Sequence, residues 1–403
     1  KTQNPPKPLE FQMRFPCLRQ RCLSRREVFL IMLRKQTACL HALQKLRNAV
    51  AESDNIVVGT AERIFADLAD AQTINHDKDG RWQAPLWQAL SEAGLPLAWV
   101  PEDLGGAGVD LADGFGVLAA AGRFAIPLPL AETMLAGWLL AQAGIASPDS
   151  EMTVAPARPQ DTVVLDADGR LTGRCHGVPF AKAAKHVAVL AAGEDGPSIA
   201  LVETAKLRIQ DGLNLAFDGS DTVVFDSVEP LTLVPAPDGF AQTSLMLMGG
   251  VVRSLQIAGA LEQLLEISVK YAGERVAFEK PIAKFQAVQH NLAKLAGESA
   301  AALAAATSAA DALAHATGFD DAVFLEAAAA KIRCGEAAEK GAAIAHQVHG
   351  AIGFTTEHIL HRFSLRALAW RDDFGVESYW AVKLGRRIAA RGADELWPLV
   401  ASR

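Results

Sequence analysis

The chain has 403 residues, 50% hydrophobic, 21% charged and 6% aromatic, with a net charge of −7. That length predicts two or three domains around a large core, and the apolar content excludes an intrinsically disordered chain. The acidic balance argues against nucleic acid as the main partner, and no uninterrupted apolar run reaches the roughly 18 residues of a spanning helix.

The charge is unevenly spread. Residues 1–50 carry eleven Lys/Arg against Glu10 and Glu27, and three of the five Cys: Cys17, Cys22 and Cys39. Three readings fit this segment. It is vector sequence or a start codon read too early, with Met13 and Met32 as other starts. It is an Arg-rich, acid-poor targeting peptide. Or it is a basic arm for nucleic acid or membrane. The five Cys show no paired or metal-type spacing, which suggests reduced thiols in an intracellular compartment. A bacterial cytoplasm is expected, or a mitochondrial matrix if residues 1–50 target the chain.

Residues 51–150 read as helices broken by Gly and Pro. Ala61–Ala71 has helical apolar spacing, and Trp87–Ala93 stops at Gly94. Asp113–Arg123 and Ala131–Gly144 follow, split by Ile126-Pro127-Leu128-Pro129. Between these helix pairs, Gly94-Leu95-Pro96 through Gly105-Gly106-Ala107-Gly108 is glycine-rich. It lacks the strand–turn–helix setting of a phosphate cradle and reads as a structural turn. Residues 151–238 change character. Thr162–Leu165, His186–Leu190, Ser198–Val202 and Thr222–Phe225 are short apolar or β-branched runs separated by turns. They predict a small antiparallel barrel or sandwich. Residues 239–403 return to long helices: Ser244–Ala277, Phe285–His315, Asp320–Gly350 and about Glu377–Arg391. Their Ala-rich composition predicts a close-packed four-helix bundle. The fold class is therefore mainly α with a small β domain.

Two stretches carry chemistry. In Tyr271–His290, YAGERVAFEKPIAKFQAVQH, Arg275 ends a helix before Pro281, and a guanidinium there can clamp a pyrophosphate. Phe285 and Gln286 offer an aromatic face and an amide to an adenosine. From spacing alone, a surface ion pair and a core Phe fit better. In Gln347–His361, QVHGAIGFTTEHILH, Gly350 allows a close backbone approach. His346/His349 and His358/His361 have metal-like spacing but no acidic or Cys partner, so local hydrogen bonding is expected and no metal.

Together these stretches resemble the C-terminal domain of the acyl-CoA dehydrogenases, through ER-x-x-F-x-x-P-I-x-x-F-Q-x-x-Q-H and Q-x-x-G-G-x-G-F, with Ala351 replacing the second Gly. The block GLPLAWVPEDLGGAG resembles the pattern joining two helices of their N-terminal domain. The resemblance covers about residues 55–403. It implies FAD as cofactor, held by Arg275, Phe278, Phe285, Gln286, Gln347, His349 and Gly350, largely in the site of a neighbouring subunit. It also implies a homodimer or homotetramer, or a paralogous subunit, an acyl-CoA substrate desaturated at its α,β bond, and an electron-transfer flavoprotein as acceptor. Small residues on the first long helix (Gly249, Gly250, Ala258, Gly259) would admit a bulky acyl group.

The acid is out of place. Removing an α-proton needs a carboxylate. The family's Glu-Gly position falls on Phe374-Gly375, and its other base position falls at about Gly249. Asp372, Asp373 and Glu377 lie beside the first of these and are the candidate bases. Their competing role is to cap the following helix. The family's flavin-ring segment, T-E-P-x-x-G-S-D, corresponds to Ala155-Pro156-Ala157-Arg158-Pro159-Gln160-Asp161, which does not match. The expected function is a dehydrogenase with a relocated acid; the alternative is a non-catalytic or half-site subunit that completes an FAD site on a partner chain.

Overall fold

The computed structural model describes residues 55–401 apart from Lys78; the basic segment 1–50 lies outside the described residues. Among the described residues five α-helices come first: α1 (Ile56–Leu68), α2 (Ala71–His76), α3 (Gln83–Glu92), α4 (Leu111–Arg123) and α5 (Leu130–Gln142). The glycine-rich segment between α3 and α4 is a turn. A Cβ at Gly106 would stand 2.1 Å from the Val100 carbonyl oxygen, so the glycine is there for packing.

The sheet has eight strands: β1 (Met152–Ala155), β2 (Val163–Leu165), β3 (Leu171–Pro179), β4 (His186–Gly193), β5 (Gly196–Glu203), β6 (Arg208–Gln210), β7 (Ser220–Val228) and β8 (Thr232–Pro235). Its order is β6-β7-β3-β2-β4-β5-β8, with β1 also on β4. The expected all-antiparallel arrangement is corrected here. β1 and β2 both run parallel to β4, at Met152–Ala155 against His186–Val189 and at Val163–Val164 against Ala191–Ala192. They occupy successive stretches of one edge of β4, so the loop 156–162 leaves the sheet between them. Short runs of sequence show strand character but not partner direction, which is why the parallel pairs were not legible.

The third part is built on α6 (Gln242–Glu274), α7 (Gln286–His315) and α8 (Asp321–His349); a hairpin of β9 (Val276–Ala277) and β10 (Lys280–Pro281) joins the first two. Two shorter helices, α9 (Leu360–Ala369) and α10 (Glu377–Arg391), take the fourth bundle position, before a last turn α11 (Leu396–Ala401). α9 was not foreseen, although its buried Leu360, Phe363 and Ala367 keep a helical spacing. Helix α6 is apolar enough over 18 residues to cross a membrane, but that window is wholly buried inside the molecule, as a core helix is. It meets α4 at glycines. A Cβ at Gly259 would lie 2.2 Å from the Ala119 carbonyl oxygen, and one at Gly122 the same distance from that of Gln256. Asp320 caps α8, accepting from the Ala322 and Val323 amides at 2.8 and 2.9 Å.

Candidate functional site

The two stretches converge at the surface where α6 ends. Tyr271 stacks on His349 with ring centroids 4.4 Å apart, and its hydroxyl donates to the His349 carbonyl at 3.3 Å. Arg275 caps α6 in an extended conformation and is exposed. The next turn is strained. Phe278 and Glu279 have φ of +49° and +66°, a region that glycine prefers. This turn holds Phe278 out at 89% exposure, with its ring edge toward Phe285 at 6.2 Å. Lys280 lies over the face of Phe285, 4.4 Å from the centroid. Gln286, Gln347 and Gly350 are exposed, and Gly350 has φ +66° with open space where a side chain would stand. His349 is the exception among the predicted cofactor residues. It is buried, with Nδ1 on the Ala345 carbonyl at 2.8 Å. A cleft of about 450 Å³ flanks this surface, lined in part by Lys270, Tyr271, Glu274 and His358. His346, His358 and His361 make local bonds, to Ser364, the Leu360 amide and the His358 carbonyl. Among the described residues no group of three or more potential ligands could hold a metal.

The second region is the interior around Phe374 and Gly249, the two positions expected for the base. The two expected base positions do meet in space. A Cβ at Gly249 would stand 2.4 Å from the Phe374 ring, so that aromatic ring fills the space beside Gly249. Phe374 is 1% exposed and has φ +55°. Its amide donates to the Ala157 carbonyl at 2.9 Å, and the Trp380 indole donates to its carbonyl at 3.0 Å. Gly249 and Gly259 thus leave no room for a bulky acyl group: one faces Phe374, the other the α4 backbone.

The candidate acids are spread and mostly engaged. Asp373 accepts from Arg253 Nε at 2.9 Å, and Arg253 Nη2 donates to Glu132 at 2.6 Å. Arg253 Nη1 donates to Gln256 at 2.6 Å, so the buried guanidinium is shared by three residues. Burial raises the Asp373 carboxyl above its ordinary range, against the pull of Arg253 and Lys331. Burial raises Glu132 as well, again against Arg253. Lys331 is fully buried beneath the loop. It donates to the Arg371 carbonyl at 2.6 Å, and burial pulls its amine down to about 8. Glu377 accepts from Arg371 at 2.6 Å and packs on Gly335, whereas Asp372 is exposed. In the sequence, Arg253 shows only as an interruption of an apolar run. The lone Glu132 in apolar α5 is the matching signal.

The loop that corresponds to the flavin-ring segment has also spent its hydrogen bonds internally. The Gln242 amide reaches the carbonyls of Arg158, Pro159 and Asp161, the last at 2.8 Å. Asp161 accepts from the His176 amide and ring at 2.7 and 3.0 Å. The segment 155–161 carries no Ser or Thr hydroxyl. The donor set on the outward surface suits the adenosine-diphosphate half of a dinucleotide. The interior does not suit its ring half.

Comparison with known proteins agrees with this architecture. Residues 52–147 match the acyl-CoA dehydrogenase N-terminal domain and residues 238–375 the acyl-CoA dehydrogenase C-terminal domain. Acyl-CoA dehydrogenase IpdE2 of Mycobacterium tuberculosis is 31% identical over 293 residues, 72% of this chain and 82% of that protein. FadE27 of the same organism is 27% identical over 338 residues, covering 77% and 89%. Among solved structures, the ChsE4-ChsE5 complex from M. tuberculosis superimposes with a TM-score of 0.74 at 24% identity, covering 83% of this chain and 96% of that one. A variant of the steroid ACAD Tcur3481-Tcur3483 gives 0.73 at 26% identity, covering 85% and 99%. The chain belongs to the acyl-CoA dehydrogenase family, flavoprotein oxidoreductases that act on CH–CH groups and use FAD.

Proposed function

We propose that this chain is the non-catalytic subunit of a heteromeric acyl-CoA dehydrogenase and completes the FAD site of a partner chain. The observation that carries this reading is the Phe374 ring packed against Gly249, where the reaction needs a carboxylate. The assembly desaturates the α,β bond of an acyl-CoA thioester, and electrons pass to an electron-transfer flavoprotein. FAD, when bound, supplies the hydride acceptor. Arg275 would hold its pyrophosphate, with Phe278, Phe285, Gln286, Gln347 and Gly350 around the adenosine, and His349 setting the wall through Tyr271. Two of the structural relatives are named as pairs, ChsE4-ChsE5 and Tcur3481-Tcur3483, which supports a paralogous partner. The second is named a steroid ACAD, which supports a ring-bearing acyl group held in the partner's cleft.

The visible spectrum tests this. The chain purified alone is expected to be colourless. Joined to its partner it turns yellow, and the colour bleaches with acyl-CoA. A yellow chain that bleaches by itself would overturn the proposal. One observation favours the other reading, a dehydrogenase using Asp373, with Asp372 or Glu377 beside it: burial gives the Asp373 carboxyl the raised proton affinity of a base. On that reading Asp373→Asn abolishes bleaching, whereas on ours the turnover of the assembly is retained.

A further inference from the structure

Arg362 and Arg366 stand four residues apart on α9 and share one face of it. Both are buried, at 9% and 5% exposure. Arg366 Nη2 donates to Asp218 at 2.6 Å, across to the loop that leads into β7, and its Nη1 donates to the Arg362 carbonyl at 3.2 Å. Among the described residues the Nε and Nη2 of Arg362 have no hydrogen-bond partner, and neither does the Nε of Arg366. Two buried cations therefore share the single carboxylate of Asp218.

The identity of the unpartnered atoms matters. Nε–H and the neighbouring Nη2–H of a guanidinium are parallel donors, spaced to fit two oxygens of one oxyanion. On Arg362 that whole edge is unpartnered. A buried guanidinium without an anion leaves its desolvation uncompensated. Burial and the repulsion of Arg366 accordingly pull Arg362 down to about 10, well below the usual arginine range. The roof over this pair is the loop 211–219. Asn214 braces it by accepting from the Ala216 and Asp218 amides at 2.8 and 3.1 Å. Leu213, Leu215 and Phe217 are exposed on it, at 67%, 55% and 75%.

We propose that the Nε–Nη2 edge of Arg362, with Arg366 beside it, is a binding site for a phosphate-type oxyanion. It does not use Arg275 and does not depend on the heteromer reading. The phosphate comes either free or as a phosphate of coenzyme A.

The test is thermal unfolding of the full chain in inorganic phosphate or coenzyme A, against sodium chloride at matched ionic strength. Millimolar phosphate is expected to raise Tm by several degrees over chloride. A free-phosphate site shows no gain from coenzyme A, whereas a nucleotide site responds to coenzyme A at concentrations at least tenfold lower; either supports the proposal. Arg362→Met should lose the response while keeping its Tm in chloride. Arg362→Lys, which keeps the charge without the fork, should need about tenfold more phosphate, and carries the test if the Met variant fails to fold. An equal response to chloride and phosphate, or an undiminished response in both variants, would overturn it.

Discussion

The outward surface at Arg275–Gln286 and the interior around Phe374 differ in how each uses its polar groups. Outside, an arginine, two glutamines and a phenylalanine are exposed, and a strained two-residue turn presents the phenylalanine. Inside, Glu132, Asp373 and Glu377 are each paired with an arginine of the same chain, and Gln242 is bonded to the 158–161 carbonyls. A surface with unspent donors and stored strain is suited to receiving something. An interior that satisfies itself is suited to holding the fold together. On the function proposed above, the difference means that a dehydrogenase fold keeps one half of its site for a ligand and turns the other half into structure.

The sharpest way to break this contrast is Arg253→Met. It leaves Glu132 and Asp373 buried without their cation, and should cost about 3–5 kcal/mol in denaturant unfolding. Adding Glu132→Gln and Asp373→Asn should recover most of that loss. Little loss in the single variant would mean that the interior pair is not structural. Lys331 gives the next effect, in pH. Its folded pKa, about 8, lies below the ordinary 10.5, so the unfolded chain binds more protons between these values. Stability contributed by Lys331 should therefore rise with pH over that window, by about 3 kcal/mol for a shift of this size. The difference between wild type and Lys331→Met, followed by unfolding from pH 7 to 10.5, should show that slope; a flat difference would refute it. Gly249→Ala should cost about 1–3 kcal/mol by forcing the Phe374 ring away. In a double-mutant cycle, Phe374→Ala should cancel most of that cost. On the outward surface the expectation reverses. Arg275→Gln and Phe278→Ser should leave Tm within about 1 °C, since surface changes seldom exceed about 0.5 kcal/mol. Arg275→Gln should nevertheless lower FAD retention of the assembled enzyme about tenfold, read from the flavin absorbance after gel filtration.

How much of this was legible depends on range. The long helices, the Gly94–Gly108 turn and the residues of the outward surface follow from local spacing and local motifs. The Phe374 and Gly249 positions can each be found by counting along the chain, but not their contact. That contact depends on a left-handed backbone at Phe374, which the Ala157 and Trp380 bonds impose. The bond between Arg253 and Glu132 spans 121 residues, and no periodic pattern reports a partner at that distance. The same holds for Asp218 and Arg366, 148 residues apart. Asp373 is recognisable as the nearest acid; that its charge is already answered by Arg253 is not.

The guanidinium of Arg253 has a consequence for how the chain folds. Its two acidic partners lie 121 residues before it and 120 after it. No contiguous fragment of the helical regions can assemble that contact, and closing such long loops is slow. A chain still emerging from the ribosome cannot pair Arg253 with both carboxylates until Asp373 has been made. The acquisition of structure at the centre of the molecule is therefore expected late, as one cooperative event, and a truncation anywhere before residue 373 should yield a protein that collapses without setting.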